Sequence, residues 1–237
     1  MNGIKRMGIL YPSSGVSELE IQKILPEGVT LHVTRIPMGM PTYEAELHMV
    51  DYAEEASRLL ADAKVDIIAF SSTVGSLIKG KGFDQEIINR IEKATGTKAT
   101  TAATAVVAGL RALKVKKLVL LSPYAKTLHL GEKAFLEAEG FVVLKDRTLE
   151  LSDCFEQYGT DPTLWYRIAR ELDHSDSEGC LVSCGGIRVV NIINQLETDL
   201  MKPVVTTNQA LVWHCLRNIG FPDPLRGFGR LLELPLR

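Results

Sequence analysis

Val65-Asp66-Ile67-Ile68-Ala69-Phe70-Ser71-Ser72 returns in character 112 positions later as Ser177-Glu178-Gly179-Cys180-Leu181-Val182-Ser183-Cys184. Each is a short apolar run that ends in small polar residues, the pattern of a buried strand delivering a polar tip to a loop. Two more pairs keep the same order. Gly8-Ile9-Leu10-Tyr11-Pro12 matches Leu118-Val119-Leu120-Leu121-Ser122-Pro123, with the prolines 111 positions apart. Thr100-Thr101 followed by Leu110-Arg111 matches Thr206-Thr207 followed by Leu216-Arg217 at an offset of 106. Three matches in order predict two copies of one unit, with Ser72 and Cys184 facing each other across a cleft.

Working outward, apolar runs bounded by turn residues predict strands at Met7 to Tyr11, Thr30 to Arg35, Asp66 to Phe70, Lys98 to Thr101, Lys117 to Ser122, Phe141 to Asp146, Gly179 to Ser183 and Pro203 to Thr206. Helical spacing of apolar residues fills Tyr43 to Lys64, Asp84 to Ala94, Ala102 to Leu113 and Thr127 to Glu139. Strands alternating with helices predict an α/β fold of parallel sheets. The expected architecture is two similar α/β halves with parallel four-stranded sheets, related by pseudo-twofold symmetry. The last helix is expected to return to the first half, which divides the chain into residues 1–99 plus 209–237 and residues 100–208. Ligands of such sheets bind beyond the carboxyl ends of the strands.

The 237 residues are 46% hydrophobic and 24% charged, ordinary globular usage. The formal charge of −2 comes from mixed signs without a basic block, so no footprint for nucleic acid or an anionic membrane is present. The opening apolar stretch ends at Pro12, too short for a signal peptide or a span, and a cytoplasmic location is expected. The four cysteines, Cys154, Cys180, Cys184 and Cys215, lack the density of a disulfide scaffold and contain no Cys-x-x-Cys pair. No metal site is expected, and oligomeric state is left open.

Ser71-Ser72-Thr73-Val74-Gly75-Ser76 follows a strand and opens a new element, so its amides and hydroxyls could face an anion, although such residues are also common turn chemistry. Val182-Ser183-Cys184-Gly185-Gly186-Ile187-Arg188 has the same layout with a thiol at the tip. Two glycines remove bulk beside the sulfur, and exposed amides there can lower a thiol pKa and accept a developing oxyanion. A small buried cysteine is the plain alternative. Cys154, Cys180 and Cys215 lack these surroundings and are expected in the core or as bystanders. Arg188 could hold a second carboxylate or lie on a solvated helix face. The five histidines sit apart from the strand-tip loops, so a Cys-His hydrolase would need a tertiary pairing the sequence does not show.

Taken together, Ser72-Thr73 to Gly80, Ser122-Pro123-Tyr124, Ser183-Cys184-Gly185-Gly186, Asn208-Gln209-Ala210 and Trp213 to Arg217 resemble the arylmalonate decarboxylase and maleate isomerase branch of the aspartate/glutamate racemase superfamily. The opening Tyr11-Pro12-Ser13-Ser14 and closing Gly227-Phe228-Gly229-Arg230-Leu231 extend the resemblance over nearly the whole chain. Racemases and maleate isomerases of this superfamily carry a cysteine in each half. Here Ser72 stands at the first position, and the pattern is nearer to arylmalonate decarboxylases, which pair a glycine there with Cys-Gly-Gly at the second.

The resemblance implies a cofactor-independent enzyme whose partner is a small carboxylic acid. A malonate-type, arylmalonate-like diacid would lose CO₂, and Cys184 would protonate one face of the enediolate. The retained carboxylate would sit among donors from Thr73, the backbone around Val74, Tyr124 and the amides of Gly185 and Gly186, with Pro12 and Ser13 also at the substrate. Pro12, Met38, Met40 and Val74 would line an apolar pocket for the departing carboxylate. Val74 replaces a hydroxyl residue of the decarboxylases, for which Ser76, Ser13 or Ser14 could compensate, and Gly15 replaces an asparagine common in maleate isomerases. The alternative is a maleate isomerase-like isomerase or racemase of a small dicarboxylic or amino acid, with Ser72 in place of the first cysteine. A third reading is a non-catalytic binder of small acids.

Overall fold

The computed structural model describes residues 3–234, so the outermost positions of the expected division, 1–2 and 235–237, lie outside the described residues. In chain order the first elements are β1 (Lys5–Pro12), α1 (Glu18–Ile24), β2 (Val29–Ile36), α2 (Tyr43–Asp51), α3 (Ala53–Asp62), β3 (Ile67–Phe70), α4 (Thr73–Leu77), α5 (Phe83–Thr95), β4 (Ala99–Thr101) and α6 (Ala102–Ala112). The chain continues through β5 (Lys117–Ser122), α7 (Lys126–Ala138), β6 (Val142–Thr148), α8 (Cys154–Gly159), α9 (Pro162–Leu172), β7 (Gly179–Val182), a 3₁₀ turn (Val190–Ile192), α10 (Ile193–Leu200), β8 (Val204–Thr206), α11 (Thr207–Asn218) and α12 (Arg230–Glu233).

The strands form two four-stranded parallel sheets of identical order, β2-β1-β3-β4 and β6-β5-β7-β8. Position in the sheet explains the sequence pattern. The inner strands β3 and β7, Ile67 to Phe70 and Gly179 to Val182, are buried at every residue because helices cover both faces. The strands β2 and β6, at sheet edges, instead mix exposed and half-buried residues along most of their length, and His32, Arg35, Lys145 and Arg147 fall there.

The two halves share one core. Met7, Ile9 and Ile67 connect through Ala105 and Leu110 to Leu118, Leu120, Leu211 and Trp213, all buried. Each such aliphatic side chain contributes roughly 1.5–3 kcal/mol by leaving water. α11 packs along α6 and reaches α1, β3 and β4, while α6 touches β8. Gly109 of α6 makes room for α12 as well: a Cβ there would lie 2.9 Å from Leu231 Cδ2 and 3.7 Å from Ala210 Cβ of α11. α6 and α11 begin on equivalent caps, Thr101 and Thr206, each of whose side chains accepts an amide hydrogen three residues on. These caps stand 105 positions apart, one fewer than the offset read from the threonine pairs.

One expected helix is two. Tyr43 to Lys64 breaks at Tyr52 (φ −88°, ψ −5°), which ends α2 and starts α3. The break lets α2 pack against α4 while α3 packs against α5, β1 and β2. A single straight helix could not serve both surfaces, and the turn aims Glu46 of α2 at the strand tips.

Glu20 of α1, 1% exposed, ties the halves together. Its Oε2 accepts the amides of Val189 and Val190 at 3.0 and 3.1 Å, and Lys23 bonds Oε1. Replacing Glu20 with alanine leaves two buried amides unpaired, at roughly 1–3 kcal/mol each. Urea denaturation of Glu20→Ala is expected to show a loss of about 2–6 kcal/mol; a change below about 0.5 kcal/mol would mean that water replaces the carboxylate there without cost.

Candidate active site

Loops after β1, β3, β5 and β7 converge where the carboxyl ends of the two sheets meet, as expected for parallel sheets. They enclose a cavity of about 430 Å³ including its mouth. Its walls carry Tyr11, Pro12, Gly15, Met38, Pro41, Glu46, Ser71, Ser72, Thr73, Val74, Tyr124, Cys154, Gln157, Cys184, Gly185 and Gly186. Among the described residues this wall holds no lysine, arginine or histidine, so an anion there meets neutral donors only.

Cys184 sits just past the end of β7 with φ 123°, a conformation strained for any residue with a Cβ. The strain is held by its surroundings: the Cys184 amide donates to Thr207 Oγ1 at 3.0 Å, and the Gly185 carbonyl accepts from Asn208 Nδ2 at 3.0 Å and from Ser17 Oγ. Gly186 N–H donates to Cys184 Sγ at 3.1 Å. The glycines supply room: a Cβ on Gly186 would lie 3.3 Å from the sulfur and 3.1 Å from Gln157 Oε1, and one on Gly185 would lie 3.2 Å from Asn208 Oδ1.

The thiol is not activated in the direction the sequence suggested. The Gly186 amide and the Tyr124 phenol favour the thiolate, but burial outweighs both and pushes Cys184 up to about 12. At neutral pH the sulfur therefore carries its proton, and it donates to Gln157 Oε1 at 3.5 Å.

Facing it, Ser72 closes β3 and caps α4, accepting from Gly75 N–H at 3.1 Å. Its hydroxyl donates to Glu46 Oε2 at 2.6 Å. Burial raises Glu46 to about 7. Thr73 Oγ1 reaches across the halves to Thr207 Oγ1 at 3.3 Å. Tyr124 is buried against Cys184, Thr73 and Ser183, and burial holds its phenol well above the ordinary tyrosine range. Behind Cys184, Ser183 Oγ donates to Glu132 Oε1 at 2.5 Å, and burial raises Glu132 to about 7 as well.

Of the sequence-predicted residues, Pro12, Ser72, Thr73, Val74, Tyr124, Cys184, Gly185 and Gly186 line the cavity. Ser13 does not: its hydroxyl accepts Met38 N–H and donates to Met38 O, clamping the loop instead. Met38 lines the wall, whereas Met40 is 50% exposed and outside it. Ser76 turns inward to the carbonyls of Ser72 and Thr73. Arg188 bonds the Tyr158 and Gly159 carbonyls and stacks on Tyr158, away from the cavity. A Ser–His–Asp trio is present, Ser122 Oγ with His129 Nδ1 and His129 Nε2 with Asp146, but Ser122 is fully buried and the trio joins β5, α7 and β6. Among the described residues no cluster of His, Cys, Asp or Glu is placed to hold a metal, and no helix is long and apolar enough to cross a membrane.

Four wall residues escaped the sequence reading, Pro41 and three polar ones. Cys154, expected in the core or as a bystander, is 7% exposed but faces the cavity, with Ser14 Oγ 3.4 Å from its sulfur. Gln157 lies one turn further along α8, and Glu46 comes from α2. A signal for α8 was present: Asp153 Oδ1 accepts Glu156 N–H while Glu156 Oε2 accepts Ser152 N–H, a capping pattern legible as Ser152-Asp153 followed by Glu156. Two wall donors have no partner, the Ser71 hydroxyl and Gln157 Nε2. Buried donors left open in a cation-free wall suit the oxygens of a bound carboxylate.

A family model described as arylmalonate decarboxylase matches residues 9–232. Maleate isomerase from Nocardia farcinica is 29% identical over 242 residues, covering 98% of this chain and 96% of that protein. Arylmalonate decarboxylase from Bordetella bronchiseptica is 28% identical over 228 residues, covering 95% of each. The crystal structure of a maleate isomerase from Pseudomonas putida S16 with maleate superposes with a TM-score of 0.95 at 27% identity, covering 99% of this chain and 100% of that one.

Strain at Cys184 inverts the usual ranking of alanine over glycine. Cys184→Gly is expected to be more stable than Cys184→Ala by about 1 kcal/mol in urea denaturation. Equal stabilities would show that the φ of 123° carries no cost.

Proposed function

The chain belongs to the arylmalonate decarboxylase family, and from that premise we propose that it decarboxylates a malonate-type diacid without a cofactor and protonates the enediolate from Cys184. The observation that carries this reading is the difference between the two strand tips, a protonated thiol on one and a hydroxyl on the other.

The bond from the α-carbon to one carboxylate breaks, CO₂ leaves, and the electron pair passes into the remaining carboxylate as an enediolate. Cys184 S–H then gives its proton to the α-carbon, and the thiolate recovers a proton from water. An enediolate is far more basic than a thiolate, so transfer runs downhill even from a thiol held near 12. The same position leaves little thiolate at neutral pH, which argues against attack by sulfur.

Charge grows on the retained carboxylate as CO₂ departs, and preorganised donors there lower the barrier. Thr73, Tyr124, the Gly185 amide and the open donors of Ser71 and Gln157 fit that role, while the Gly186 amide is bonded to the Cys184 sulfur. Pro12, Met38 and Val74 offer the departing carboxylate an apolar wall, where loss of hydration favours neutral CO₂.

A second reading, an isomerase or racemase like the maleate isomerases, is favoured by the contact between Ser72 and Glu46. A bare serine is a poor proton acceptor, but a buried carboxylate at its hydroxyl provides the base it lacks.

The deciding experiment supplies aryl-substituted malonates in D₂O and follows CO₂ and α-deuteration. Cys184→Ser is expected to slow CO₂ release by at least ~100-fold, with the wild-type product deuterated at the α-carbon. Absence of release, with deuterium entering maleate-like or α-amino acids instead, would replace the decarboxylase by the isomerase.

A further inference from the structure

We propose that Glu46 and Ser72 form a hydroxyl–carboxyl proton relay that exchanges the α-hydrogen of a 2-substituted carboxylic acid on the face opposite Cys184. This rests on the reading above that Cys184 is the proton donor of the other face.

The geometry has three parts. Ser72 Oγ lies on the cavity wall at the strand tip equivalent to Cys184. Its proton is directed at Glu46 Oε2, 2.6 Å away. Glu46 is itself on the wall, 5% exposed, and packed so tightly that a Cβ on Gly75 would lie 2.9 Å from its Oε2. A carboxylate so placed is more than a helix ornament: a buried charge costs stability unless it is paired, and its partner here is the hydroxyl that faces the ligand.

The step balances without a co-reactant. The Cα–H bond breaks, its electron pair becomes the enediolate, the hydrogen passes to Ser72 Oγ, and the Ser72 proton moves to Glu46 Oε2. Return of a proton from the same face restores the acid with solvent hydrogen; return from Cys184 inverts it. Glu46 acts through Ser72 and is a positioning and proton-holding residue, while Ser72 touches the reacting carbon.

Burial raises Glu46 to about 7, so its carboxylate form, the one that can accept, populates as pH rises through neutrality. The other titratable groups on the cavity wall are the thiols of Cys154 and Cys184 and the phenols of Tyr11 and Tyr124, all shifted upward by burial and protonated over that range. α4, against which α2 packs, brings only hydroxyls. The charged groups of α3 lie on its outer side, where Glu54 pairs with Arg90, and those of α2 itself include the exposed His48–Asp51 pair.

The test incubates an enantiopure 2-arylpropionate with wild type, Glu46→Gln, Glu46→Asp and Ser72→Ala in D₂O and follows loss of the α-proton signal and of optical purity. Wild type is expected to exchange, with a rate that rises with pH and levels above about 7. Glu46→Gln, close in shape, and Ser72→Ala are expected to lose at least ~100-fold and the pH limb, with Glu46→Asp recovering part of both. No exchange by wild type, or equal exchange and an unchanged pH limb in Glu46→Gln, would overturn the relay. Because the substrate needs no decarboxylation, the two readings separate: Glu46-dependent exchange without CO₂ release from malonates removes the decarboxylase and keeps the relay, and Cys184-dependent release without exchange does the reverse.

Discussion

Withdrawal from water at the junction of the two sheets sets the chemistry of every ionisable group there. Cys184, Glu46, Glu132, Tyr124 and Tyr11 all shift upward, and burial is the largest cause in each. A wall without cations makes this consistent, because nothing nearby stabilises the charged forms. The result is a cavity whose thiol and phenols keep their protons at neutral pH while Glu46 titrates there. Such a site is suited to giving protons to carbon and unsuited to thiolate nucleophilicity, which needs the opposite shift.

The same burial explains why the backbone at Cys184 can be strained. A non-glycine φ of 123° persists only where neighbours over-determine it. Here Thr207, at the start of α11, fixes the Cys184 amide, and Asn208 fixes the Gly185 carbonyl. Ser17 of the first half bonds that carbonyl too, and Tyr11 OH is 2.5 Å from Ser17 Oγ. The thiol is thus aimed by elements of both halves, and the shared core through α6 and α11 is what keeps them in register.

Much of this was legible in the chain. Inner strands announce themselves as unbroken apolar runs, and their repetition at an offset near 110 carried both the two-sheet architecture and the facing of Ser72 and Cys184. The wall residues next to strand ends were found because loop position follows from strand position. Glu46, Cys154 and Gln157 were not, for a physical reason: they reach the cavity from helices whose orientation depends on tertiary packing. The break at Tyr52 that turns Glu46 inward has no proline or glycine to mark it. For Cys184 the place was legible and the direction of its shift was not, since motif chemistry sees the Gly186 amide but not the depth at which the sulfur lies.

The repeated unit places two equivalent strand tips on one cavity wall, and the residues behind each tip decide how its proton is held. In the second half Glu132 takes the hydroxyl of Ser183, one residue before the tip, so the Cys184 proton stays available to the cavity. In the first half Glu46 takes the hydroxyl of the tip itself. A thiol can release and regain a proton near neutrality with modest help, whereas an alcohol can do so only when a base shares its hydrogen. The carboxyl therefore stands directly on the alcohol and one step removed from the thiol. On the proposed relay, Glu46 of the adjoining helix gives the Ser72 face the acid–base group that a lone alcohol lacks.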